Sequence, residues 1–583
     1  MVTFASLKAQ HVHLLNRWHA WRATRGGGDV KGFVSSPEPR TIGSFARGKQ
    51  LLSGNYLLSG TLLHAPDFSL WDLTPPDLNY ARDLHGFAWM DDLAAVGDGE
   101  ARGRAQSWLW GWIANHGTGT GPGWTPDLTG RRLIRWINHA LFLLRGRDAA
   151  QSHAFYLSLE QQTLFLYKRW RATAPGLPRF EALTGLIYAS LSLEGQEELA
   201  EPALKALARE CATQIDAQGG LATRNPEELL LVFTLLTWAA TALRDVGRSA
   251  RGEHLAAIER IAPTLRHLRH ADGSLARFHG GGRGNEGWLD QALAASEVRS
   301  NPVDGLAMGY ARLSAGRSTI VIDAAPTPEG SASFNAHAST LAFELTSGRR
   351  ALIVNCGSGA SFGRAWRHAG RATPSHSTLS LDGFSSASLS APERYTGQEQ
   401  LINGPRNVPI EFSRTTEGHQ FQGAHDGYVA AYGLTHARTL LLSPDGRSLR
   451  GDDMLLAMEE KDKRRFDREL DASTLKGFRF DVRFHLHPDV DATVDMGGMA
   501  VSLGLKSGEI WIFKQEGKHH LRLEDSVYLD TKRLKPRGSR QIVISGKALG
   551  YATRISWSLS KARETAIGVR DLSRDAPLLA EDE

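Results

Sequence analysis

The stretch RATPSHSTLSLDG, residues 371–383, places Arg371 five residues before His376, at the mouth of a run that alternates like a β-strand. An arginine beside a histidine can neutralise a negative charge and move a proton, so the stretch indicates a site for an anionic ligand. A solvated strand end explains the same two residues equally well. The elements that surround the two residues decide between these alternatives.

Two further stretches combine basic residues with special backbone. RFHGGGRGNEGW, residues 277–288, holds His279 and Arg283 in a glycine-rich loop, which lets backbone approach a ligand closely but also suits a link between domains. Arg224-Asn225-Pro226 predicts a helix start, with Asn225 as N-cap and Pro226 as the first helical residue. Capping does not exclude ligand contact.

Metal-binding patterns are sparse. FHLHP, residues 484–488, puts His485 and His487 on one strand face, but no third ligand accompanies them, so a structural role is favoured. The two cysteines, Cys211 and Cys356, are far apart, which excludes a disulfide framework and argues against a cysteine-based zinc site.

The composition describes an ordinary soluble protein with a mild positive charge. A chain of 583 residues is too long to fold around one hydrophobic core, so two or more domains are expected. The net charge of +5 suits an anionic ligand without demanding nucleic acid. Eleven of the 15 tryptophans precede residue 240, where they fit either a sugar-binding cleft or a core.

The chain shows no secretory signal at its N-terminus, which predicts a cytoplasmic location. Its longest apolar run, LLLVFTLLTWAATAL at 229–243, is shorter than the roughly 18–20 residues of a membrane span and carries three threonines. It predicts a buried helix and no membrane span.

The elements that position these residues change period near residue 300. Before it the period is helical, which predicts stacked helical hairpins forming a toroid or an open solenoid. The segment RRLIRWINHALFLL is predicted to place Leu133, Ile137, Leu141 and Leu144 on one face. The predicted helices cover 131–144, 180–195, 201–216, 227–243 and 250–268.

After residue 305 the period becomes two, and turn signals separate the runs, which predicts an antiparallel β-sandwich. The predicted strands cover 318–325, 341–348, 351–357, 377–383, 478–488, 508–515, 540–546 and 553–560. The predicted organisation is an N-terminal arm and linker (1–44), a helical domain (45–300), a β-sandwich (301–570) and an acidic tail (571–583). The cleft between the two domains is the default site.

The stretch FNAHASTLAFELTSGRRALIVNCGSG, followed by WRHAGRATPSHSTLSLDG, resembles the C-terminal domain of the heparinase II/III-like polysaccharide lyases. That family builds a site from H-x-H-x-D, D-x-G and R…H-[NS]-[ST]. The helical segments GGLATRNPEELLLVFTLL (219–236) and GWTPDLTGRRLIRWI (123–137, with Trp124) resemble its helical half. The resemblance covers residues 45–570. The sandwich residues that carry it are His337, Asn355, Gly357, Arg371 and His376.

The resemblance implies an (α/α) toroid packed on an antiparallel β-sandwich, with activity on acidic polysaccharides. It also implies a structural zinc site formed by His337, Asn355 and His376, although an amide is a poorer ligand than the usual carboxylate. A purely structural histidine pair, with or without metal, is the alternative for His337 and His376.

Several family positions are changed in this chain. Asn335 stands where the first, often catalytic, histidine is expected, and Ser339 where the aspartate is expected. Glu228 and Leu229 replace the Tyr-His pair that follows R-[SN]-P in the family. The segment 181–184 lacks the asparagine or histidine that usually neutralises the substrate carboxylate.

Uronate β-elimination requires a group that neutralises the carboxylate, a base that takes the C5 proton and an acid for the C4 oxygen. Tyr188 and Tyr428 are candidate acids. Arg371 is as well explained by a salt bridge at the sandwich edge. The predicted catalytic residues are His337, His376, Arg371 and Glu228. The predicted substrate-binding residues are Arg224, Asn225, Asn335, His279, Arg283 and Trp124.

The leading prediction is a lyase that cleaves a uronate-containing glycan. The second is a catalytically inactive, glycan-binding or envelope-associated protein on the same scaffold, which the family's usual location would place in the periplasm or cell envelope. The third is a toroid glycoside hydrolase that pairs Glu228 with Asp83 or Asp91. An acidic polysaccharide is the expected partner, and the sequence carries no signal for the oligomeric state.

Overall fold

The computed structural model describes residues 4–28, 30–35, 38–299, 305–393, 397–531 and 533–562. The predicted boundary at 300/301 and the predicted acidic tail at 571–583 lie outside these residues. Within them, helices occupy the N-terminal half and antiparallel strands the C-terminal half, which confirms the predicted change of period.

The N-terminal region is helical, with one short hairpin (β1 and β2). Helix α11 begins as the sequence predicts, with Asn225 as N-cap and Pro226 in its first turn, and Asn225 Oδ1 accepts hydrogen bonds from the N–H groups of Glu227 and Glu228. The elements are α1 (Phe4–Ala23), α2 (Phe45–Leu52), β1 (Asn55–Leu58), β2 (Thr61–His64), α3 (Leu78–Gly86), α4 (Trp89–Val96), α5 (Gly99–His116), α6 (Pro126–Asn138), α7 (Ala140–Leu144), α8 (Ala149–Arg169), α9 (Leu177–Ser192), α10 (Ala200–Gln214), α11 (Pro226–Asp245), α12 (Gly252–His267) and α13 (Trp288–Ala295).

Two glycines allow the inner helices α6 and α9 to lie in contact. A Cβ atom on Gly185 would stand 2.4 Å from the Cα of Gly130, so any side chain at this crossing would force the helices apart. This close approach places Arg131 of α6 within ion-pair distance of Glu181 of α9.

The predicted continuous helix over 131–144 is interrupted. Asn138 ends α6, and His139 leaves helical geometry while its Nε2 atom contacts the Asp91 carboxylate at 2.8 Å. The break rotates the following turn, so Leu141 is 83% exposed instead of sharing the buried face of Leu133. A histidine in contact with a buried carboxylate therefore overrides the hydrophobic period.

Helix α11 has the length and apolar composition of a membrane span, but 78% of its apolar window is buried inside the protein. It packs among the other helices, and its buried residues include Leu229, Phe233 and Leu236. Burial therefore accounts for its apolar composition.

The C-terminal region is a sandwich of two antiparallel sheets, crossed by three short helices. The strands are β3 (Leu306–Ala307), β4 (Tyr310–Ala315), β5 (Ser318–Asp323), β6 (Phe343–Ser347), β7 (Arg350–Val354), β8 (Leu379–Leu381), β9 (Ser388–Leu389), β10 (Leu401–Ile402), β11 (Ile410–Thr415), β12 (Gly418–Tyr428), β13 (Leu434–Leu442), β14 (Ser448–Leu456), β15 (Phe478–Leu486), β16 (Asp491–Asp495), β17 (Ala500–Gly504), β18 (Ile510–Glu516), β19 (His520–Tyr528), β20 (Arg537–Ala548) and β21 (Ala552–Lys561). The helices are α14 (Arg364–Arg371), α15 (Val429–Tyr432) and α16 (Glu460–Ala472).

The sheets face each other across one apolar core. One sheet has the order β19-β20-β15-β7-β6-β5-β4-β3, with β8 also paired to β15, and the other has the order β11-β12-β13-β14-β21-β18-β17-β16. Phe343 stacks on Trp557 with ring centroids 6.1 Å apart, and Trp557 stacks on Phe513 at 5.8 Å. The Phe343–Trp557 contact joins the two sheets, whereas Trp557 and Phe513 lie on neighbouring strands of one sheet.

The element that carries the first motif differs from the prediction. Arg371 is the last residue of α14, and the strand that follows, β8, begins only at Leu379. His376 lies between them, after a short helical turn. Arg371 and His376 thus precede the strand and do not begin it together, because Pro374 and its neighbours form a turn.

Candidate functional site

An ion pair joins the helical domain to the β-sandwich at the centre of their interface. Arg224, which precedes α11, donates from Nη2 to Asp323 Oδ1 at 2.5 Å. Its other N–H groups donate to main-chain carbonyls at Met308, Gly309, Ala325 and Pro326. Arg224 was predicted to bind substrate, but its N–H groups instead hold the two domains together.

A chain of histidines leads from this ion pair into the sandwich. His279 Nε2 lies 3.4 Å from Asp323 Oδ2, and His279 Nδ1 accepts the backbone N–H of His337 at 3.1 Å. His337 Nδ1 then lies 3.0 Å from His376 Nε2, and His376 Nδ1 lies 2.9 Å from the Ala372 carbonyl oxygen. The structure thus brings His279 next to the histidine pair that the sequence predicted.

The hydrogen-bond partners fix the tautomers of this chain. A carbonyl can only accept, so His376 carries its proton on Nδ1 and its Nε2 is the acceptor for His337 Nδ1–H. Burial lowers the pKa of His376 to about 4 and lowers the pKa of His337 well below its usual range. Both imidazoles are consequently neutral near pH 7.

The histidine pair is almost fully enclosed. His376 is 0% exposed and His337 is 3% exposed, whereas Asn335, two residues earlier, is on the surface. Asn335 Oδ1 accepts from Arg367 Nη2 at 3.2 Å. The position that a ligand can reach thus carries an amide, which cannot act as a base.

Arg371 lies against main-chain oxygens and not at an open surface. It is 2% exposed, and its guanidinium donates to the carbonyls of Ser333, Ala336 and Glu399 at 2.8–2.9 Å. These bonds tie α14 to the segments on either side of it.

The donors His337, Asn355 and His376 do not fit a zinc ion. Asn355 Oδ1 already accepts the backbone N–H of Ser377 at 2.9 Å, and the two imidazoles are bonded to each other. Across the ranges that the structure describes, no three His, Cys, Asp or Glu side chains are grouped to hold a metal ion. A tetrahedral zinc site needs at least three free protein ligands.

The glycine-rich loop packs against the start of α11 and lines an open pocket between the domains. The N–H of Gly282 donates to Glu227 Oε2 at 2.7 Å, and a Cβ atom on Gly281 would stand 2.5 Å from Asn225 Oδ1. The pocket has a volume of about 90 Å³. Its wall consists of Arg47, Glu227, Arg277, Gly281, Gly282, Arg283, Gly284, Asn285, Ser358, Tyr528, Leu529, Asp530 and Thr531.

The cations of this interdomain pocket are anchored to different degrees. Arg277 donates to the carbonyls of Cys356 and Leu529 and lies 4.0 Å from the centre of the Tyr528 ring. Arg283 forms an ion pair with Asp272. Arg47 is exposed on α2, so it can turn toward a ligand at the smallest cost.

A second pocket, of about 150 Å³, opens into the helical domain beside the first. Arg47 and Asn285 belong to both walls, so the two pockets are adjacent. The second wall also contains Trp89 and Trp288, together with Asp83, Asp91, Asp92 and Arg135. Aromatic surfaces beside planar polar groups are typical of clefts that bind sugars.

Carboxylates occupy the toroid positions where the resemblance implies an amide or imidazole and a tyrosine. Glu181 on α9 forms an ion pair with Arg131 at 2.8 Å. Burial and the nearby Glu181 raise the pKa of Glu228 on α11, and burial raises the pKa of Glu181. Asp83 is 3.9 Å from the same arginine, whereas Asp91 pairs with Arg135 and His139.

The remaining predicted residues lie in the cores. Trp124 is 3% exposed and donates to the His116 carbonyl at 2.8 Å. Tyr188 is buried in α9, and burial raises the pKa of its hydroxyl well above its usual value, away from the range of a ready acid. Tyr428 Oη donates to the Leu379 carbonyl at 3.0 Å.

Sequence reasoning missed four residues that shape the site: Asp323, Glu181, Arg277 and Tyr528. A charged residue at an otherwise apolar position was the available signal for two of them, since Asp323 ends the buried strand STIVID and Glu181 lies in the apolar helix FEALTGLIYASLS. Arg277 and Tyr528 carry no such signal, because their partners are remote in sequence.

Comparison with known proteins places the fold among the heparinases. The chain matches the family model "Heparinase II/III-like, C-terminal" over residues 297–558. Heparinase III superposes with a TM-score of 0.65 at 12% identity, covering 93% of this chain and 88% of the other. The heparan sulfate lyase of Pedobacter heparinus gives a TM-score of 0.56 at 15% identity, with coverages of 94% and 88%. These likenesses confirm a toroid followed by a β-sandwich.

A curated relative matches almost end to end. FtsZ-localized protein C of Caulobacter vibrioides is 31% identical over 534 residues, which are 90% of this chain and 89% of the relative. Together with the matched C-terminal domain, this similarity establishes that the chain belongs to the heparinase II/III-like family.

Proposed function

We propose that this chain is a non-catalytic member of its family that binds an anionic glycan in the interdomain cleft. The observation that carries the proposal is the enclosure of the His337–His376 pair while the exposed position beside it is Asn335. A buried, internally bonded histidine pair contributes to packing, and a surface amide offers no base for β-elimination.

The cleft retains groups that suit a carboxylate or sulfate. Arg47 faces it from α2, Arg277 and Arg283 face it from the glycine-rich loop, and that loop exposes backbone to a ligand. Trp288, a partly exposed residue of the adjoining pocket, offers a surface for a sugar ring.

Lyase activity on a uronate is the competing function. The toroid side argues against it, because Glu181 and Glu228 occupy the positions at which the resemblance implies a group that neutralises the substrate carboxylate and a tyrosine proton donor. A carboxylate at that place repels the uronate in its ground state and in the transition state.

The test combines binding and turnover on one panel of heparan sulfate, chondroitin sulfate, hyaluronan, alginate and glucuronan oligosaccharides. Isothermal titration calorimetry should detect binding of at least one ligand, with no rise in the ultraviolet absorbance of unsaturated uronate. Arg47→Ala should weaken that binding about tenfold, since it removes one charge-assisted contact at an exposed position. Arg450→Ala, which removes the exposed ion pair between Arg450 of strand β14 and Glu417, is the matched control and should bind normally.

Two results would overturn the proposal. A rise in absorbance that Asn335→Ala or His337→Ala abolishes would establish the lyase. If none of the glycans on the panel binds, the proposed glycan-binding function is wrong.

A second proposal concerns location. The name of the Caulobacter relative states that it localises with FtsZ, and the similarity covers nearly both chains. We infer that this chain also localises with FtsZ, which agrees better with the expected cytoplasmic location than with the envelope alternative. A fluorescent fusion should follow labelled FtsZ in the cell, and a diffuse signal would contradict the inference.

A further inference from the structure

We propose that the histidine pair of this chain is a metal-free, hydrogen-bonded unit, and that Asn355 is the residue that keeps zinc out. The inference concerns the metal content of the sandwich site and stands independently of the ligand in the cleft.

The first argument is the direction of the lone pairs. His376 Nε2 points its lone pair at the proton on His337 Nδ1, 3.0 Å away. In a zinc site both nitrogens would direct lone pairs at the ion, at about 2.0–2.1 Å each. The hydrogen bond between the two rings therefore occupies the nitrogen atoms that an ion would need as ligands.

The second argument is the missing carboxylate. Asn355 is 0% exposed, and its oxygen accepts the Ser377 N–H at 2.9 Å. Its Nδ2 atom is buried without a hydrogen-bond partner among the described residues. An amide nitrogen cannot ligate zinc, and a neutral amide brings no charge to offset a dication.

The third argument is the local charge. Arg277 and Arg371 both contribute a positive potential at His337. The nearest carboxylate in the histidine chain belongs to Asp323, which is already bonded to Arg224 and to Ser339 Oγ. A dication placed between the imidazoles would be repelled by two guanidinium groups without a compensating carboxylate.

The test measures zinc in the full-length chain, purified without an affinity tag that binds metals. After incubation with zinc chloride and dialysis, elemental analysis should find below about 0.1 zinc per wild-type chain, and EDTA should leave its melting temperature unchanged. Asn355→Asp supplies a carboxylate at the position that contacts the backbone beside His376 and should retain about one zinc per chain. The double variant with His376→Ala should lose that zinc, which locates the ion at this site.

Stoichiometric zinc in the wild type, lost on His337→Ala or His376→Ala, would overturn the proposal. A folded Asn355→Asp chain that remains zinc-free would overturn the role assigned to Asn355. If Asn355→Asp does not fold, the wild-type zinc content and the effect of EDTA on its melting temperature still decide the main claim.

Discussion

The guanidinium of Arg224 and the carboxylate of Asp323 meet across the boundary between the toroid and the sandwich, with 2.5 Å between Nη2 and Oδ1. Asp323 is 0% exposed and Arg224 is 8% exposed. The same carboxylate accepts from Ser339 Oγ at 2.6 Å and faces His279. One buried charge therefore fixes both the domain interface and the first histidine of the chain.

Replacing Arg224 by methionine should lower the free energy of unfolding by about 3–5 kcal/mol, because Asp323 is left as an uncompensated buried charge. Urea denaturation followed by circular dichroism measures the loss. The double variant Arg224→Met with Asp323→Asn should be less destabilised than the sum of the single changes. A loss below about 1 kcal/mol, or strict additivity, would refute the role of the pair.

Arg371→Ala should destabilise the sandwich by several kcal/mol and leave the ligand affinity of the remaining folded protein unchanged. Its guanidinium is committed to three backbone carbonyls, which would remain buried without their donors. Arg364→Ala is the control, because Arg364 is an arginine of the same helix whose side chain is 71% exposed. This change should alter stability little. A selective loss of ligand affinity in Arg371→Ala would instead restore its predicted role as a substrate clamp.

The order of helices and strands followed from periodicity, yet several strands were missed. Strand β13 shows why, since its buried face alternates Leu434, His436, Arg438 and Leu440. The two polar residues hide the hydrophobic period, and they are tolerated inside because Asp453 bonds to both, at 2.8 Å each. That partner lies on the next strand, so only the folded register explains the pattern.

The candidate site was predictable as a set of residue types but not as an arrangement. His337 and His376 are 39 residues apart and meet as the motif implies. Arg224 and Arg371 have the sequence context of ligand-binding arginines, but backbone carbonyls take up their donors. Whether an arginine faces carbonyls or solvent depends on where distant loops close, which local patterns do not encode.

Stability should fall in acid through buried neutral histidines, and His485 offers a direct test. Burial lowers its pKa from 6.5 to about 3, and its ring bonds to Ser526 Oγ and the Pro374 carbonyl. The unfolded chain then binds the proton first, so this contribution is complete above pH 6.5 and is lost as the pH falls toward 3.

Lowering the pH from about 7.5 to about 5 should reduce the free energy of unfolding by about 2 kcal/mol through this residue alone. Urea melts at the two pH values should show a smaller difference for His485→Gln than for the wild type. His64→Gln, at an exposed position, should keep the wild-type difference. An unchanged pH dependence in His485→Gln would show that the imidazole titrates alike in both states.

Gly357→Ala should disrupt the interdomain pocket through Arg277. Gly357 has φ of +97°, and a Cβ atom there would stand 1.7 Å from Arg277 Nη2, which holds the Cys356 and Leu529 carbonyls. Gly363 is a matched control, because its φ is +98° and nothing lies within 4 Å of a Cβ atom built on it. Both variants share the backbone strain of about 1–3 kcal/mol, and only Gly357→Ala adds the clash. Gly357→Ala should therefore melt at a lower temperature than Gly363→Ala and bind the glycan more weakly; equal melting temperatures and equal affinities would show that Arg277 moves aside without cost.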